Sequence, residues 1–312
     1  MNGRIAILVP VFNGGALLAE TLASPALAGL PADSYAILVS DNASTDGSTA
    51  WLGERDAQGA PVLLRSNETN LGRVGNWNRA VEWAEELGFS HALFLMAGDM
   101  LADDAVIALR DRMVAADAAL GIAPYQIVDE ELNPLRIARR IRWRGAAIDQ
   151  RRFALQSLGA GALLYGPLGA NLYRLGERAP LRFDPSDETH TDQLATALFA
   201  QANAASIVYL DRPLSCWRER KGRFHAGMDP HARLIGDLRV IEQGCRAAKV
   251  APDYTKIRAS LLVRGLFHNR GRLRAAWTQS KILTRGAPPS LFWLVALPFR
   301  QALFKTPWRV EA

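Results

Sequence analysis

Four short apolar runs, separated by turn residues and helical patterns, constrain the fold of this 312-residue chain more than any other feature. The runs occupy residues 4–11, 35–40, 61–65 and 91–96. Apolar residues recur with helical spacing at residues 17–22 and 75–87, and a further helix is expected from about Thr49. Strands that alternate with helices at this spacing predict βαβ units and a parallel sheet.

Polar clusters follow three of these runs. Asn13 comes just after the first run, Asp41 directly after the second, and Asp99 shortly after the fourth. Because parallel strands end at the same edge of a sheet, we expect these clusters to gather there, where α/β proteins bind their ligands. The sequence therefore predicts a polar ligand site at one edge of the sheet.

The pattern is less regular after residue 103. The expected elements are a helix over residues 103–118, a strand over 121–128, a helix over 191–202, a strand over 206–210 and mainly helical chain from residue 230. Residues 166–169, with the sequence GPLG, are typical of a loop.

The loops around the first strands carry a family resemblance. The segments VPVFNGGALLAETLASPA, ILVSDNASTDGST, NETNLGRVGNWNRAVEWA and LFLMAGDML occur in the order of the motifs of family 2 glycosyltransferases, which they resemble. The resemblance covers about residues 4–225. It implies an α/β fold of the GT-A type, a Rossmann-type, mostly parallel sheet flanked by helices. We expect a glycosyltransferase domain over residues 1–225 and a helical, basic C-terminal extension over residues 226–312.

The same resemblance implies a set of residues that bind the nucleotide-sugar donor. Asp41 matches a carboxylate that accepts a hydrogen bond from the nucleobase, and Arg73 would offer its guanidinium fork to the base or pyrophosphate. The other candidates from the matching motifs are Pro10, Phe12, Asn13, Asn70, Asn78 and Arg218. Residues 41–48 also favour a helix N-terminus, and Arg73 also fits a surface position, so these alternatives stay open.

Asp99 is the candidate metal ligand. A divalent cation, Mg²⁺ or Mn²⁺, would stabilise the charge that grows on the departing nucleoside diphosphate. The sequence departs from the family here, because Met96, Ala97 and Gly98 replace the acidic residues usual before the last aspartate. Asp103 and Asp104 lie further along the chain and are expected to cap the next helix.

An inverting transfer also requires a general base for the acceptor hydroxyl. Residues 182–219 resemble the acceptor region of the family, and Asp192 matches the usual base at the start of a helix. Asp187 and Glu188 are alternative candidates, while the helix dipole alone also favours an aspartate there. His225 falls where family members often carry a histidine in a loop that closes over the donor diphosphate.

Charge divides the chain into an acidic and a basic part. Residues 1–135 hold 7 Lys and Arg against 18 Asp and Glu, whereas residues 136–312 hold 30 against 13. Residues 255–312 hold 11 basic side chains and the single acid Glu311, interleaved with apolar and aromatic residues. Such a segment either lies on an anionic membrane or packs as a helical subdomain. The two cysteines have no metal-binding spacing, and with no signal or spanning pattern the expected location is the cytoplasm, peripheral to the inner face of the membrane.

Together these features predict an inverting glycosyltransferase. The donor would be a UDP, dTDP or GDP sugar, the acceptor a glycan or lipid-linked glycan, and the product a surface or exported polysaccharide. Two alternatives stay open, a non-catalytic nucleotide-sugar or nucleic-acid binding protein and a nucleotidyltransferase. A dinucleotide-dependent oxidoreductase is disfavoured because the first strand is not followed by G-x-G-x-x-G. No nucleic-acid partner is expected.

Overall fold

The computed structural model describes residues 3–50, 52, 62–139, 141–144, 147–187, 189–203, 206–220, 229–268, 273–290, 294 and 308–311. The strands are β1 Ile5–Val11, β2 Tyr35–Asp41, β3 Val62–Ser66, β4 His91–Phe94, β5 Met100–Leu101, β6 Ala118–Ile122, β7 Tyr125–Val128, β8 Pro134–Ala138, β9 Ile141–Arg144, β10 Ala147–Ile148, β11 Asn171–Arg174, β12 Ser206–Tyr209, β13 Ser215–Arg218 and β14 Trp308–Glu311. The helices are α1 Gly15–Leu22, α2 Pro25–Ala28, α3 Gly72–Glu86, α4 Ala105–Ala115, α5 Gln150–Gln156, α6 Thr191–Ala202, α7 Pro230–Ala248, α8 Tyr254–His268 and α9 Leu273–Leu283.

The central sheet has the strand order β10-β12-β6-β11-β4-β1-β2-β3. Strands β1 to β4 are parallel, as are β6 and β12, whereas β11 runs antiparallel between β4 and β6. The register places Val11 opposite Asp41 and Asp41 opposite Ser66, so β1, β2 and β3 end at one edge. The predicted α/β fold, with a mostly parallel sheet flanked by helices, is confirmed.

Both faces of this sheet are buried at β1, β2 and β4, as their continuous apolar runs predict, whereas the edge strand β3 is largely exposed. Alternate residues of β1 point to opposite sides: Ala6 and Leu8 join one hydrophobic cluster, Ile5 and Ile7 the other. The first cluster includes apolar residues of α3 and α6, and the second includes residues of α1 and α4. The strand period of two residues therefore divides the core into two layers.

The predicted strand over residues 121–128 is wrong. The chain forms two strands instead: β6 lies in the central sheet, and β7 lies in a smaller sheet of order β5-β13-β7-β8. Ala123 donates its N–H to the Ala170 carbonyl, and Pro124, which has no N–H, accepts a hydrogen bond from Leu214. These contacts transfer the chain from one sheet to the other. The helix expected from about Thr49 falls mainly outside the described residues.

The C-terminal helices pack against the sheet domain. Leu234 and Ile241 of α7 and Ile257 and Leu261 of α8 belong to the same buried cluster as the residues of α6. This packing agrees with the subdomain alternative for these helices. The boundary between residues 225 and 226 stays a prediction, since residues 221–228 lie outside the described ranges. No helix in those ranges is both long and apolar enough to cross a membrane.

Candidate active site

The loops that follow β1 and β2 hold each other at the edge of the sheet. Asn13 has a left-handed backbone with φ of 50°, a conformation that asparagine tolerates better than most residues. Its N–H donates to Ser44 Oγ at 2.9 Å, and its Oδ1 accepts from Thr45 N at 2.9 Å. Asp46 Oδ2 accepts from Gly15 N at 3.0 Å, which attaches the start of α1 to the same loop. Asn13 therefore organises this edge.

Asp41 is buried at the end of β2, with 4% of its surface exposed. Its Oδ1 accepts the N–H of Ser44 at 3.1 Å, and its Oδ2 accepts the hydroxyl of Ser66 at 3.1 Å. These contacts fix the carboxylate in the loop. Within the segment considered for helix capping, Asp46 Oδ1 accepts from Ser48 N at 2.9 Å. The assignment of Asp41 to the nucleobase stays a prediction.

A network of asparagine amides joins the β2 end to α3. Asn42 Nδ2 donates to Asn70 Oδ1 at 2.8 Å, and Asn42 Oδ1 accepts from Leu71 N at 2.9 Å. Asn67 Nδ2 connects Asn42 Oδ1 and Asn76 Oδ1 at 3.2 and 3.1 Å. The network fixes the first turn of α3, from which Arg73 projects. Asn70 was among the predicted donor-binding residues, whereas Asn76 was not, although it lies within the same motif segment.

A pocket of about 150 Å³ lies beyond the end of β4 and against β13. It brings together Arg73, Asp99 and Asp192, which come from three separate motifs. The Arg73 guanidinium carbon lies 4.4 Å from the centre of the Trp77 ring, so this arginine packs in the pocket wall. The other lining residues are Phe94, Leu95, Met96, Tyr125, Pro167, Leu168, Gly169, Ser215 and Trp217.

Asp99 is fixed at the rim of this pocket. It is buried, and its Oδ1 accepts the backbone N–H of Arg218 at 3.0 Å. Thr21 Oγ1 accepts from Gly98 N at 2.7 Å and donates to the Asp99 carbonyl at 2.9 Å. The loop that carries Asp99 is therefore held by both α1 and β13.

Before a donor binds, the described residues offer a divalent metal a single carboxylate, Asp99, with a guanidinium beside it. Mg²⁺ is usually bound through one or two carboxylates together with substrate phosphates. Asp99 is the one carboxylate of its motif, and the Arg220 guanidinium lies against Ala97 and Gly98 beside it. A positive charge in this place repels a second cation. Within the described ranges, no group of three or more His, Cys, Asp or Glu is arranged to hold a metal.

Asp192 lies in the first turn of α6. Thr196 Oγ1 donates to the Asp192 carbonyl at 2.7 Å and also contacts the Tyr173 hydroxyl at 2.7 Å. These contacts anchor the turn from which the Asp192 side chain lines the pocket. A carboxylate in this position can accept a proton from a hydroxyl group bound in the pocket.

The two alternative carboxylates differ from Asp192. Asp187 is buried and accepts hydrogen bonds from the Thr189 hydroxyl at 2.8 Å and His190 N at 3.1 Å. Burial alone would raise the pKa of Asp187, but these hydrogen bonds and the charge of Arg239 lower it below its usual value. Its carboxylate is therefore occupied as a loop anchor. Glu188 lies outside the described residues, as does His225.

The N-terminus of α6 is also tied to the C-terminal helices. His190 Nε2 lies 3.1 Å from Asp237 Oδ1 on α7, and Asp237 Oδ2 lies 3.0 Å from Arg264 Nε on α8. A side chain at Gly236 would not fit, because its Cβ would lie 2.0 Å from His190 Nδ1. This polar chain holds the residues that precede Asp192.

The remaining candidates lie around the pocket without lining it. The Arg218 guanidinium is buried and pairs with Glu20 at 2.5 Å. The Asn78 amide exchanges hydrogen bonds with the backbone of Phe183. Pro10 is partly buried at the end of β1, and the Phe12 side chain is 50% exposed. Donor contacts by these residues stay predictions.

Comparison with known proteins connects this geometry to a family. Residues 6–159 match the family described as glycosyl transferase family 2. No curated protein matches the chain by sequence.

Solved structures share the fold at low sequence identity. The 1–349 fragment of S. aureus TarS in complex with UDP-GlcNAc has a TM-score of 0.65 at 18% identity, over 91% of this chain and 82% of that chain. A longer TarS structure has a TM-score of 0.62 at 17% identity, over 84% of this chain but only 43% of its own. The mannosyltransferase PcManGT from Pyrobaculum calidifontis, in complex with GDP-Man and Mn²⁺, has a TM-score of 0.54 at 15% identity, over 97% of this chain and 81% of that chain.

Proposed function

The chain belongs to glycosyl transferase family 2, and from that premise we propose that it transfers a sugar from a nucleotide-sugar donor to an acceptor hydroxyl with inversion. The observation that carries this proposal is that Asp99, Asp192 and Arg73 line one pocket beyond the strand ends. A site that must hold a charged donor and deprotonate a hydroxyl requires both acidic and basic groups.

The proposed reaction is a direct displacement at the anomeric carbon. The Asp192 carboxylate accepts the proton of the acceptor hydroxyl as its oxygen forms the new bond to the anomeric carbon. The bond from that carbon to the diphosphate oxygen breaks, and its electron pair leaves with the nucleoside diphosphate. Inversion follows because the acceptor attacks from the side opposite the leaving group.

The donor is proposed to be a UDP, dTDP or GDP sugar. Asp41 would accept a hydrogen bond from the nucleobase, since Ser44 and Ser66 hold its carboxylate at the end of β2. Asn13 and the amide network around Asn70 would shape the adjacent loops. The TarS and PcManGT structures contain UDP-GlcNAc and GDP-Man, which supports a nucleotide-sugar donor without selecting its base.

The acceptor is proposed to be a glycan or lipid-linked glycan at an anionic membrane surface, in the synthesis of a surface or exported polysaccharide. Helix α9 packs through Ala276 and Ser280 but exposes Leu273, Trp277 and Ile282 to solvent. Exposed basic residues accompany them at Arg274, Lys281 and Arg285. Apolar and basic groups together favour contact with anionic lipid.

A thermal-shift screen followed by a transfer assay tests the proposal. Because a ligand that binds only the folded state raises its melting temperature, one class of UDP, dTDP or GDP sugars should stabilise the protein. The screen should be run with Mn²⁺ and with EDTA, and release of nucleoside diphosphate should then be measured with the stabilising donor. Absence of both stabilisation and release across all three classes would contradict the proposed function.

A further inference from the structure

Arg220 occupies the place that the acidic motif leaves open. Its Nη2 donates to the Ala97 carbonyl oxygen at 2.9 Å. A Cβ built at Gly98 would lie 2.7 Å from Arg220 Nη2 and 3.0 Å from its Cζ. Gly98 has φ of 91°, which side chains rarely adopt. The guanidinium therefore covers the segment in which the family usually carries acidic residues.

The neighbouring arginine is engaged differently. Arg218 is 5% exposed, and its guanidinium pairs with Glu20 at 2.5 Å. Arg220 is less buried, and none of the ion pairs among the described residues includes it. Its charge is therefore available to an anionic ligand, whereas that of Arg218 is neutralised within the protein.

We propose that Arg220 binds the diphosphate of the donor and supplies the positive charge that a divalent metal would otherwise supply. The inference rests on the proposed function, since it assigns the residue that receives the leaving group. A guanidinium can donate two parallel hydrogen bonds to phosphate oxygens and stays protonated at any physiological pH. As the bond to the anomeric carbon breaks, its electron pair goes to the diphosphate oxygen, and Arg220 stabilises that charge without transferring a proton.

The position of Arg220 along the edge supports this role. Ala97 lies near Gly14, at the start of α1, where a Cβ at Gly14 would lie 3.9 Å from the Ala97 Cβ. Asp99 follows two residues later and lines the pocket with Asp192. Arg220 thus lies against the segment that connects the start of α1, next to the loop proposed for the nucleoside, with Asp99 in the pocket proposed for the sugar. A diphosphate joins these two parts of the donor.

Binding of nucleoside diphosphates in EDTA tests the inference without requiring turnover. Calorimetry should compare UDP, dTDP and GDP with their parent nucleosides, for the wild type and for Arg220→Gln. Glutamine keeps a hydrogen-bond donor but carries no charge, and because Arg220 is only partly buried the fold should persist. We expect the wild type to bind its diphosphate in EDTA within about threefold of its affinity in Mn²⁺. Arg220→Gln should weaken that binding at least ~10-fold, equivalent to about 1.4 kcal/mol, with little change for the nucleoside.

Two further variants complete the test. Arg220→Lys should recover part of the diphosphate affinity, because it restores a point charge but not the fork. Arg139→Ala is the matched control. Arg139 Nε lies 2.9 Å from Asp211 Oδ1, and neither residue lines the pocket. The inference would be overturned if nucleoside diphosphates bound only in the presence of Mn²⁺ and bound Arg220→Gln as tightly as the wild type. That result would leave the proposed function intact. Absence of binding by every nucleoside diphosphate would overturn both.

Discussion

The side-chain amide of Asn78 exchanges two hydrogen bonds of 2.8 Å with the backbone of Phe183, one in each direction. This pair joins α3 to the segment that leads into α6. The centre of the Phe183 ring lies 5.4 Å from that of Trp77 and 5.6 Å from that of Phe94, both in edge-on packing. Trp77 and Phe94 line the pocket. One asparagine thus connects the motif on α3 with the wall of the pocket.

Asn78→Ala should destabilise the protein by roughly 2 kcal/mol, because two partly buried backbone groups lose their partners. Urea unfolding measures this change in the free energy of unfolding. Asn78→Asp should be intermediate, since it keeps the acceptor for Phe183 N but loses the donor. Arg79→Ala, in an ion pair with Glu82 at 3.6 Å near the protein surface, is the control and should change stability by less than about 0.5 kcal/mol. An equal effect of Asn78→Ala and Arg79→Ala would contradict the prediction.

Asp192→Asn should lose transfer activity while it keeps donor binding. Asparagine preserves the shape of the side chain but cannot accept the proton, and general base catalysis typically contributes ~10²–10⁴-fold in rate. The measurement is the turnover rate with an acceptor, together with donor affinity. A rate within about threefold of wild type would remove Asp192 as the base and redirect attention to Asp187 and Glu188. Asp187→Asn is a useful comparison, because it should mainly loosen the loop that Asp187 anchors.

Asp99→Ala should destabilise the fold by roughly 1–3 kcal/mol, since the buried N–H of Arg218 would lose its acceptor. Asp99→Asn should cost less, because its amide oxygen can still accept that hydrogen bond. Thermal or urea unfolding separates the two variants. Equal stabilities for the two would indicate that the hydrogen bond to Arg218 contributes little.

The buried His91 should make stability depend on pH. Burial, followed by the charges of Arg110 and Arg174, lowers the pKa of His91 to about 4. The unfolded chain binds a proton near pH 6.5, but the folded protein does not bind it until about pH 4. Stability should therefore fall as pH decreases from 6.5 toward 4, by at most about 3 kcal/mol from this group. His91→Leu should reduce this slope in urea unfolding series, and an unchanged slope would exclude His91 as its source.

Neutralising the exposed basic residues of α9 should weaken contact with membranes. Replacement of Arg274, Lys281 and Arg285 by glutamine removes about 1 kcal/mol of attraction per charge near an anionic surface. The affinity for vesicles that contain phosphatidylserine, measured by co-sedimentation, should fall at least ~10-fold. The control replaces three exposed arginines elsewhere, Arg136, Arg151 and Arg178. Equal losses in both variants would indicate nonspecific charge attraction rather than a surface on α9.

The strands of the sheet were predictable where local pattern and tertiary burial agree. The runs that became β1, β2 and β4 are buried on both faces, so their composition alone identified them. Strand β11 was missed, because its antiparallel pairing with β4 and β6 depends on contacts distant in sequence. The change of sheet at Pro124 was missed for the same reason.

The site was predictable in its separate parts but not in its assembly. Asp99 and Asp192 follow from motifs, whereas the contact of Arg220 with Ala97 depends on the pairing of β13 with β5. That pairing places Cys216 opposite Met100 and so brings residue 220 to the acidic motif. The motif alone shows that carboxylates usual in the family are missing from residues 96–98. Only the folded chain shows that the Arg220 side chain lies over this segment.

The packing around α6 has a consequence for recombination between related enzymes. The helix that carries Asp192 shares its buried cluster with α7 and α8, and the chain from His190 through Asp237 to Arg264 crosses the same boundary. A chimera that exchanged the chain after residue 225 would place foreign side chains against α6, near Ala197, and would break that polar chain. The proposed donor-binding half would be inherited intact, but Asp192, the proposed base, would lose its alignment. Crossover points that preserve activity should therefore fall in exposed turns such as residues 129–133, and α6, α7 and α8 should be inherited as one block.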